Sequence, residues 1–277
     1  MPVLKNMEVG VMFWAGPDPL QVVRDVKALG VCCGQVGVAG DYQLDAGAWK
    51  AALEAEDFAL VTVFAAYVGE SYADGPTVQK TVGFIPPAFR EERERRTCEL
   101  SDFAAALGVP SIACHIGFVP EDTSDPDYVA VRDMVRRVCD HAAKHNQTFA
   151  LETGQEPGHV LLGFFQDVNR PNLRINFDPA NLIMYGTDNP LEAIGLLAPH
   201  VVSVHAKDGD WPDKNVPGSL GVEKQLGQGS VDIPRFVARL KELGYTGTLN
   251  IERELEDQVQ RRKDIAESVV YLRGIIG

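Results

Sequence analysis

The sequence predicts an α/β protein, a single (β/α)8 TIM barrel spanning residues 1–277, and three observations carry that reading. Short β-branched or apolar runs alternate eight times with longer stretches of helical period. The runs are mostly continuous rather than alternating in polarity, as expected for strands of a parallel sheet covered on both faces. Eight units in 277 residues average about 35 residues each, with no Pro/Gly/Ser linker or change of composition between the halves.

Taken in order, strands are predicted at 7–13 (MEVGVMF), 31–38 (VCCGQVGV), 58–66 (FALVTVFAA), 109–115 (VPSIACH), 147–152 (QTFALE), 173–178 (LRINFD), 201–205 (VVSVH) and 246–252 (TGTLNIE). The segments between them carry helix signals. Asp18-Pro19 reads as an N-cap followed by a first-turn proline, and Leu20, Val23, Val26 and Leu29 form an apolar stripe that stops at Gly30. Phe236, Val237, Leu240 and Leu243 repeat the pattern before Gly244. In REERERR (90–96), Glu91/Arg95 and Glu92/Arg96 are spaced i,i+4, which predicts a solvated helix face rather than a binding patch. No helix opens on a GxGxxG or Walker pattern, and Gly34, Gly37 and Gly40 have the wrong spacing, which argues against a doubly wound nucleotide-binding sheet. The connections at about 67–87 and 206–230 are long, and long loops in a compact domain are usually functional or disordered.

Composition bounds the function. With 45% hydrophobic and 23% charged residues the chain has the make-up of a soluble globular protein. Its 26 basic and 39 acidic side chains leave a formal charge of -13 without a basic cluster, which argues against nucleic acid as a partner. The longest mainly apolar stretch, Phe58 to Val68, is short of the ~18–20 residues that cross a membrane, so no membrane partner is expected. The N-terminal residues do not read as a signal peptide, and a cytoplasmic location is expected. Five cysteines without CxxC spacing read as reduced thiols.

In such a barrel the active site lies at the C-terminal ends of the strands. The fifth to eighth predicted strands end in Glu152 (ALET), Asp178 (NFDPAN), His205 (SVHAKD) and Glu252 (NIERE). Three carboxylates and an imidazole crowded into a low-dielectric mouth repel one another unless a cation neutralises them. One divalent metal ion is the simplest resolution, held by Glu152, Asp178, His205 and Glu252. Oxygen-rich ligation with one histidine and no cysteine favours Mn²⁺ or Mg²⁺, with Co²⁺ or Zn²⁺ also compatible.

These strand ends, with HAKDGDW, LGQGSVDIPRF and GYTGTLNIERE, make the chain resemble the xylose isomerase-like TIM barrels, the sugar phosphate isomerase/epimerase group, over essentially its whole length. The resemblance implies a metal-dependent isomerase or epimerase acting on a small-molecule sugar or keto-sugar. Glu152 and Glu252 would ligate the metal and serve as the two acid/base groups, passing a proton through a metal-stabilised enediolate. Asp178 and His205 would be ligands only. The alternative on the same site is a metal-dependent lyase or dehydratase that follows proton abstraction with β-elimination from a keto-sugar, inosose or keto-glycoside.

The resemblance also suggests substrate contacts. Glu156 falls four residues after Glu152, where similar epimerases bind the carbonyl end of the sugar, and it reads equally as a carboxylate at a helix start. His115 ends the fourth strand, as a substrate contact or a satisfied rim histidine, and Lys207 could offset charge on substrate oxygens. Trp14 and Trp211 sit where aromatic walls commonly shield a sugar, or simply pack. Asn181 stands where ketose epimerases commonly carry histidine; an amide binds a hydroxyl but supplies no charge, which puts 3-epimerisation itself in question. No phosphate site is evident, and pairing into a homo-oligomer is compatible with the resemblance.

Overall fold

The computed structural model describes residues 2–277. Eight parallel strands close into one barrel: β1 (Val9–Trp14), β2 (Cys33–Val38), β3 (Ala59–Ala65), β4 (Ser111–Cys114), β5 (Thr148–Glu152), β6 (Leu173–Phe177), β7 (Val201–Ala206) and β10 (Thr248–Ile251). Closure is between β1 and β10, where Val9 pairs with Leu249 and Val11 with Ile251. Each expected strand is present, its bounds within two residues of those read from the sequence. The outer layer comprises α1 (Pro19–Lys27), α2 (Ala46–Glu56), α3 (Gly75–Thr81), α4 (Arg90–Ala106), α5 (Pro126–Ala143), α6 (Gly158–Val168), α7 (Pro179–Tyr185), α8 (Pro190–Leu197), α9 (Ile233–Glu242) and α10 (Gln258–Ile276). Between β7 and α9 a short antiparallel hairpin forms from β8 (Asp208–Asp210) and β9 (Val222–Lys224). Among the described residues no helix is long and apolar enough to cross a membrane.

Local signals explain the helix starts. Asp18 caps α1 by accepting from Gln21 N (3.2 Å), and Pro19 occupies the first turn. On α9, Phe236, Val237 and Leu240 are buried, and Gly244 turns the chain in the left-handed region (φ 72°). All five cysteines are free thiols.

Strand periodicity divides the core. Outward residues such as Val36, Val63, Ile112, Phe149, Leu151 and Ile175 pack beneath the helices in the main apolar cluster. The inward set contains a small cluster of Met12, Phe64, Ala113 and Ala150, alongside a buried polar group of Gln35, Asn176, Ser203, Thr248 and Asn250. Glycine makes room for this filling: a Cβ at Gly10 would stand 2.5 Å from Asn250 Oδ1.

The REERERR segment keeps Glu91, Glu92 and Arg95 on an exposed face, as expected, but one residue of the run turns inward. Arg93 is buried and donates to the carbonyls of Thr81 (2.9 Å), Gly83 and Val68 (3.2 Å). Its guanidinium also lies over the rings of Tyr67 and Phe89. Arg95 and Arg96 pair with Glu99, and Arg90 with Asp127. Carbonyls left free in the 67–87 connection need donors once buried, and arginine's fork of N–H groups reaches several at once. That connection contains α3 and is clamped further by Glu70, which accepts from Tyr67 N (2.9 Å) and Gly83 N (2.8 Å). Gly83 has φ 66°, and a Cβ there would meet the Ile116 carbonyl carbon at 2.1 Å.

Candidate metal centre and cavity

The inward parity of the strands continues past their ends and builds the site. Glu152 is the last residue of β5; Asp178 and Glu252 follow β6 and β10 directly; His205 lies on β7 in register with Asn250. Carboxylate or imidazole atoms of these four residues lie within 4.8 Å of one another. His205 Nδ1 is 2.5 Å from Glu152 Oε1, 3.1 Å from Glu252 Oε2 and 3.8 Å from Asp178 Oδ2.

In Asp178, His205 and Glu152 the second atom of the group is already engaged, whereas Glu252 turns the same oxygen, Oε2, to both His205 and Lys207. Asp178 Oδ1 accepts from Ala180 N (2.8 Å) and Asn181 N (3.0 Å), capping α7, which leaves Oδ2 aimed inward. Asp178 N and O both bond Thr153 Oγ1, which pins the β6 end to the β5 end. His205 Nε2 meets Gln35 Oε1 at 2.8 Å. A glutamine oxygen only accepts, so Nε2 carries a proton and Nδ1 is the nitrogen left facing the centre, where it would offer a lone pair to an ion in place of its own proton. Gln35 Nε2 donates in turn to Asn176 Oδ1 (3.0 Å), which also accepts from Ser203 Oγ. Glu152 Oε2 contacts His115 Nε2, and Gln155 Nε2 lies 3.2 Å from His115 Nδ1. Lys207 Nζ reaches Glu252 (3.0 Å), Glu254 (3.1 Å) and Asp178 (3.9 Å).

This arrangement fits a cation. Glu152 Oε1, Asp178 Oδ2 and His205 Nδ1 are buried atoms without hydrogen-bond partners, and all three face the same point. Buried polar atoms are seldom left unpaired, and three converging acceptors describe a coordination sphere of oxygen and nitrogen ligands. The electrostatics agree. Burial lowers the affinity of His205 for its proton, but Glu252 and Glu152 overcome it and hold the imidazole well above its ordinary range. Burial raises Asp178 to about 6, with Lys207 and His205 opposing. Burial also raises Glu152, yet His115 and His205 outweigh it and bring the carboxyl to about 2. A divalent ion would supply the positive charge that this cluster otherwise draws from protons.

Above the centre lies a cavity of about 300 Å³. Met12, Trp14, Phe64, Tyr72, Met184, Tyr185 and Leu220 form a largely apolar wall, and His115, Glu152, Asn181, Lys207, Glu223, Glu252 and Glu254 supply its polar groups. Of the residues singled out from the sequence, Trp14, His115, Asn181 and Lys207 line the cavity with the metal-centre carboxylates. Trp211 and Glu156 are not among the lining residues: Trp211 is exposed beyond the hairpin strand β8, and Glu156 is buried, accepting from Val119 N at 2.6 Å. Burial raises the Glu156 carboxyl to about 7 despite that hydrogen bond.

Several participants escaped the sequence reading. Gln35 carried a signal, a lone amide in an otherwise apolar strand run. Tyr72 and Glu223 sit in the two long connections, and Tyr185 ends α7, where periodicity says nothing about what faces the mouth.

The fold and this carboxylate–histidine centre define an α/β barrel with its polar groups gathered at one mouth. The family model of the xylose isomerase-like TIM barrel matches residues 23–275, and the chain belongs to that family. A xylose isomerase domain protein from Planctomyces limnophilus has a solved structure 42% identical in sequence, with a TM-score of 0.91 over 98% of this chain and 97% of that one. An L-ribulose-5-phosphate 3-epimerase of Salmonella typhi is 28% identical over 154 residues, 53% of this chain and 51% of the epimerase, so the match spans about half that relative's length. A xylose isomerase-like TIM barrel protein from Mycobacterium smegmatis, solved in complex with magnesium, is 17% identical with a TM-score of 0.69, covering 97% of this chain and 98% of that one. At that identity the likeness is one of fold.

Proposed function

We propose that the protein is a divalent-metal-dependent isomerase or epimerase of an uncharged sugar or keto-sugar. The observation that carries this reading is the convergence of Glu152, Asp178, His205 and Glu252 on one buried point at the floor of a mostly apolar cavity. Glu152, Asp178, His205 and Glu252 would hold the ion, Mn²⁺ or Mg²⁺ by the hardness of the donors. A cation there supplies Lewis acidity, which acidifies the C–H bond beside a carbonyl.

The protein's own groups then move the proton. Glu152, kept ionised by His115 and His205, takes it from carbon. A proton that Glu252 takes up from solvent at the mouth returns to the other side of the carbon, and Glu152 releases its own to solvent; the Lys207 ammonium, 3.0 Å away, pairs with the Glu252 carboxylate that remains. The walls of Trp14, Phe64 and Tyr72 cover the apolar face of the sugar and exclude water. Asn181 offers an amide to a substrate hydroxyl.

The charge of the lining argues for an uncharged substrate. Among the described residues Lys207 is the sole lysine or arginine that lines the cavity, and its ammonium already serves Glu252, Glu254 and Asp178. Glu223 and Glu254 would repel a phosphate. This separates the chain from its ribulose-phosphate relative.

The test is incubation with a panel of free ketoses and keto-glycosides in heavy water containing Mn²⁺. Deuterium should enter next to the carbonyl without loss of a group, and Glu152→Gln should abolish the exchange while leaving the Tm of the metal-free protein within a few degrees. An unsaturated product would replace isomerisation by β-elimination. Exchange that survives in Glu152→Gln would remove the assigned base.

A further inference from the structure

We propose a second metal site, for a borderline divalent ion such as Zn²⁺, Ni²⁺ or Cu²⁺, formed by Asp102, His141 and His145 on the outer face of the barrel. His141 lies in the last turn of α5, and His145 follows four residues on, in the turn just past the end of that helix. Asp102, near the end of α4, faces them across the α4–α5 contact. Its Oδ1 lies 2.7 Å from His141 Nε2 and 2.8 Å from His145 Nε2. The two rings stand edge to face with centroids 5.7 Å apart, so both present the same nitrogen to the same oxygen. All three ligand atoms fall within 4.8 Å of one another.

The geometry is close to what an ion requires. Metal–nitrogen and metal–oxygen bonds of about 2.0–2.2 Å place neighbouring ligand atoms roughly 3.0–3.4 Å apart, so each contact need open by only about half an ångström. The three side chains are part-exposed, which gives them that freedom. Two imidazoles and one carboxylate select a different ion from the buried centre. Nitrogen donors favour Zn²⁺, Ni²⁺ and Cu²⁺, whereas the three-carboxylate mouth favours harder ions. Waters would complete the coordination of a site with only three protein ligands. The two sites are also far apart along the barrel axis. The ends of α4 and α5 lead into the N-terminal ends of β4 and β5, the opposite end of the barrel from the mouth.

The experiment compares untagged wild-type protein with His141→Ala/His145→Ala, both saturated with Mg²⁺. On a Ni²⁺-charged iminodiacetate column wild type should be retained and the double variant should flow through, although it keeps His159 and His200 near the surface. Calorimetric titration with Zn²⁺ should give one equivalent more for wild type than for the variant. Asp102→Asn, tested alongside, should weaken the Zn²⁺ isotherm without changing the Tm of the metal-free protein. Equal retention, or equal Zn²⁺ stoichiometry in wild type and double variant, would overturn the assignment. Because Glu152, Asp178, His205 and Glu252 are intact in all three proteins, this outcome is independent of the proposed activity.

Discussion

Replacing Gln35 with methionine tests how the buried centre is tuned. Gln35 has no solvent exposure, accepts from His205 Nε2 at 2.8 Å and donates to Asn176 at 3.0 Å. Methionine keeps the unbranched shape and removes both partners. Asn176 Oδ1 retains Ser203, so the group left stranded is the His205 N–H. A stranded buried donor costs about 1–3 kcal/mol, which should appear as lost stability in urea unfolding with a chelator present. Free of its anchor, the ring can rotate or carry its proton on Nδ1, and loss of such an outer partner typically weakens metal binding ~10–100-fold. Mn²⁺ affinity, measured by competition with a fluorescent chelator, should fall by that factor, about 1.4–2.7 kcal/mol. Gln35→Glu restores an acceptor for Nε2–H and should recover most of the affinity. Undiminished Mn²⁺ affinity in a cooperatively folding Gln35→Met protein would refute the argument, as would equal weakness in Gln35→Met and Gln35→Glu.

Three further outcomes are expected. Chelator should lower the Tm by several degrees, since an ion present at 100 times its Kd contributes ~2.7 kcal/mol; a Tm indifferent to chelator and to Mn²⁺ would remove the ion from the folded state. Glu156, raised from 4.5 to about 7, binds a proton in the folded chain that the unfolded chain has already released between those pH values, so stability should fall as pH rises through that window. The loss amounts to roughly 3 kcal/mol above pH 7, and in pH-dependent urea unfolding Glu156→Gln should remove that part of the slope, leaving the part due to Asp178, which is raised to about 6. Asp208 accepts from the backbone N–H of Gly209, Gly227, Gly229 and Val231, at 2.9 to 3.1 Å, and so ties the 206–230 connection together. Asp208→Ala should destabilise by about 2–4 kcal/mol and raise KM more than it lowers kcat, because Leu220 and Glu223 of the cavity wall ride on that segment.

The barrel was legible because buried parallel strands leave continuous apolar runs whose length and spacing survive in one dimension. The four centre residues were legible for a related reason: strand ends in such a barrel all face one mouth, so a polar residue there announces itself. What stayed hidden depends on tertiary context. The REERERR run has the spacing of a solvated helix, yet Arg93 is drawn inward by the free carbonyls of a loop that sequence periodicity does not place. The 206–230 connection holds a hairpin whose strands are three residues each, too short to leave a pattern. Gln35 was readable in principle, since it shares the inward parity of its strand, but attention to strand ends passes over a residue in mid-strand. Between β6 and β7 the chain forms two helices, because Gly186 takes a left-handed turn after Tyr185 and Asn189-Pro190 starts α8.

The proposed ion-holding side chains all arise after residue 150, whereas Met12, Trp14, Phe64 and Tyr72 come from the first quarter or so of the polypeptide. Part of the apolar wall thus comes from a different stretch of the chain than the proposed ion holders, while Met184, Tyr185 and Leu220 complete the wall, and Asn181, Glu223 and Glu254 its polar side, from the second half. Early-segment substitutions at Met12, Trp14 or Tyr72 would remodel which molecules are admitted, whereas two early side chains bear on the reactive groups: Phe64, whose ring packs against His205, and Gln35, where the opening stretch reaches across the lumen to steady an imidazole 170 residues downstream. A lineage diverging toward new substrates would be expected to vary freely around that amide and to retain the amide itself.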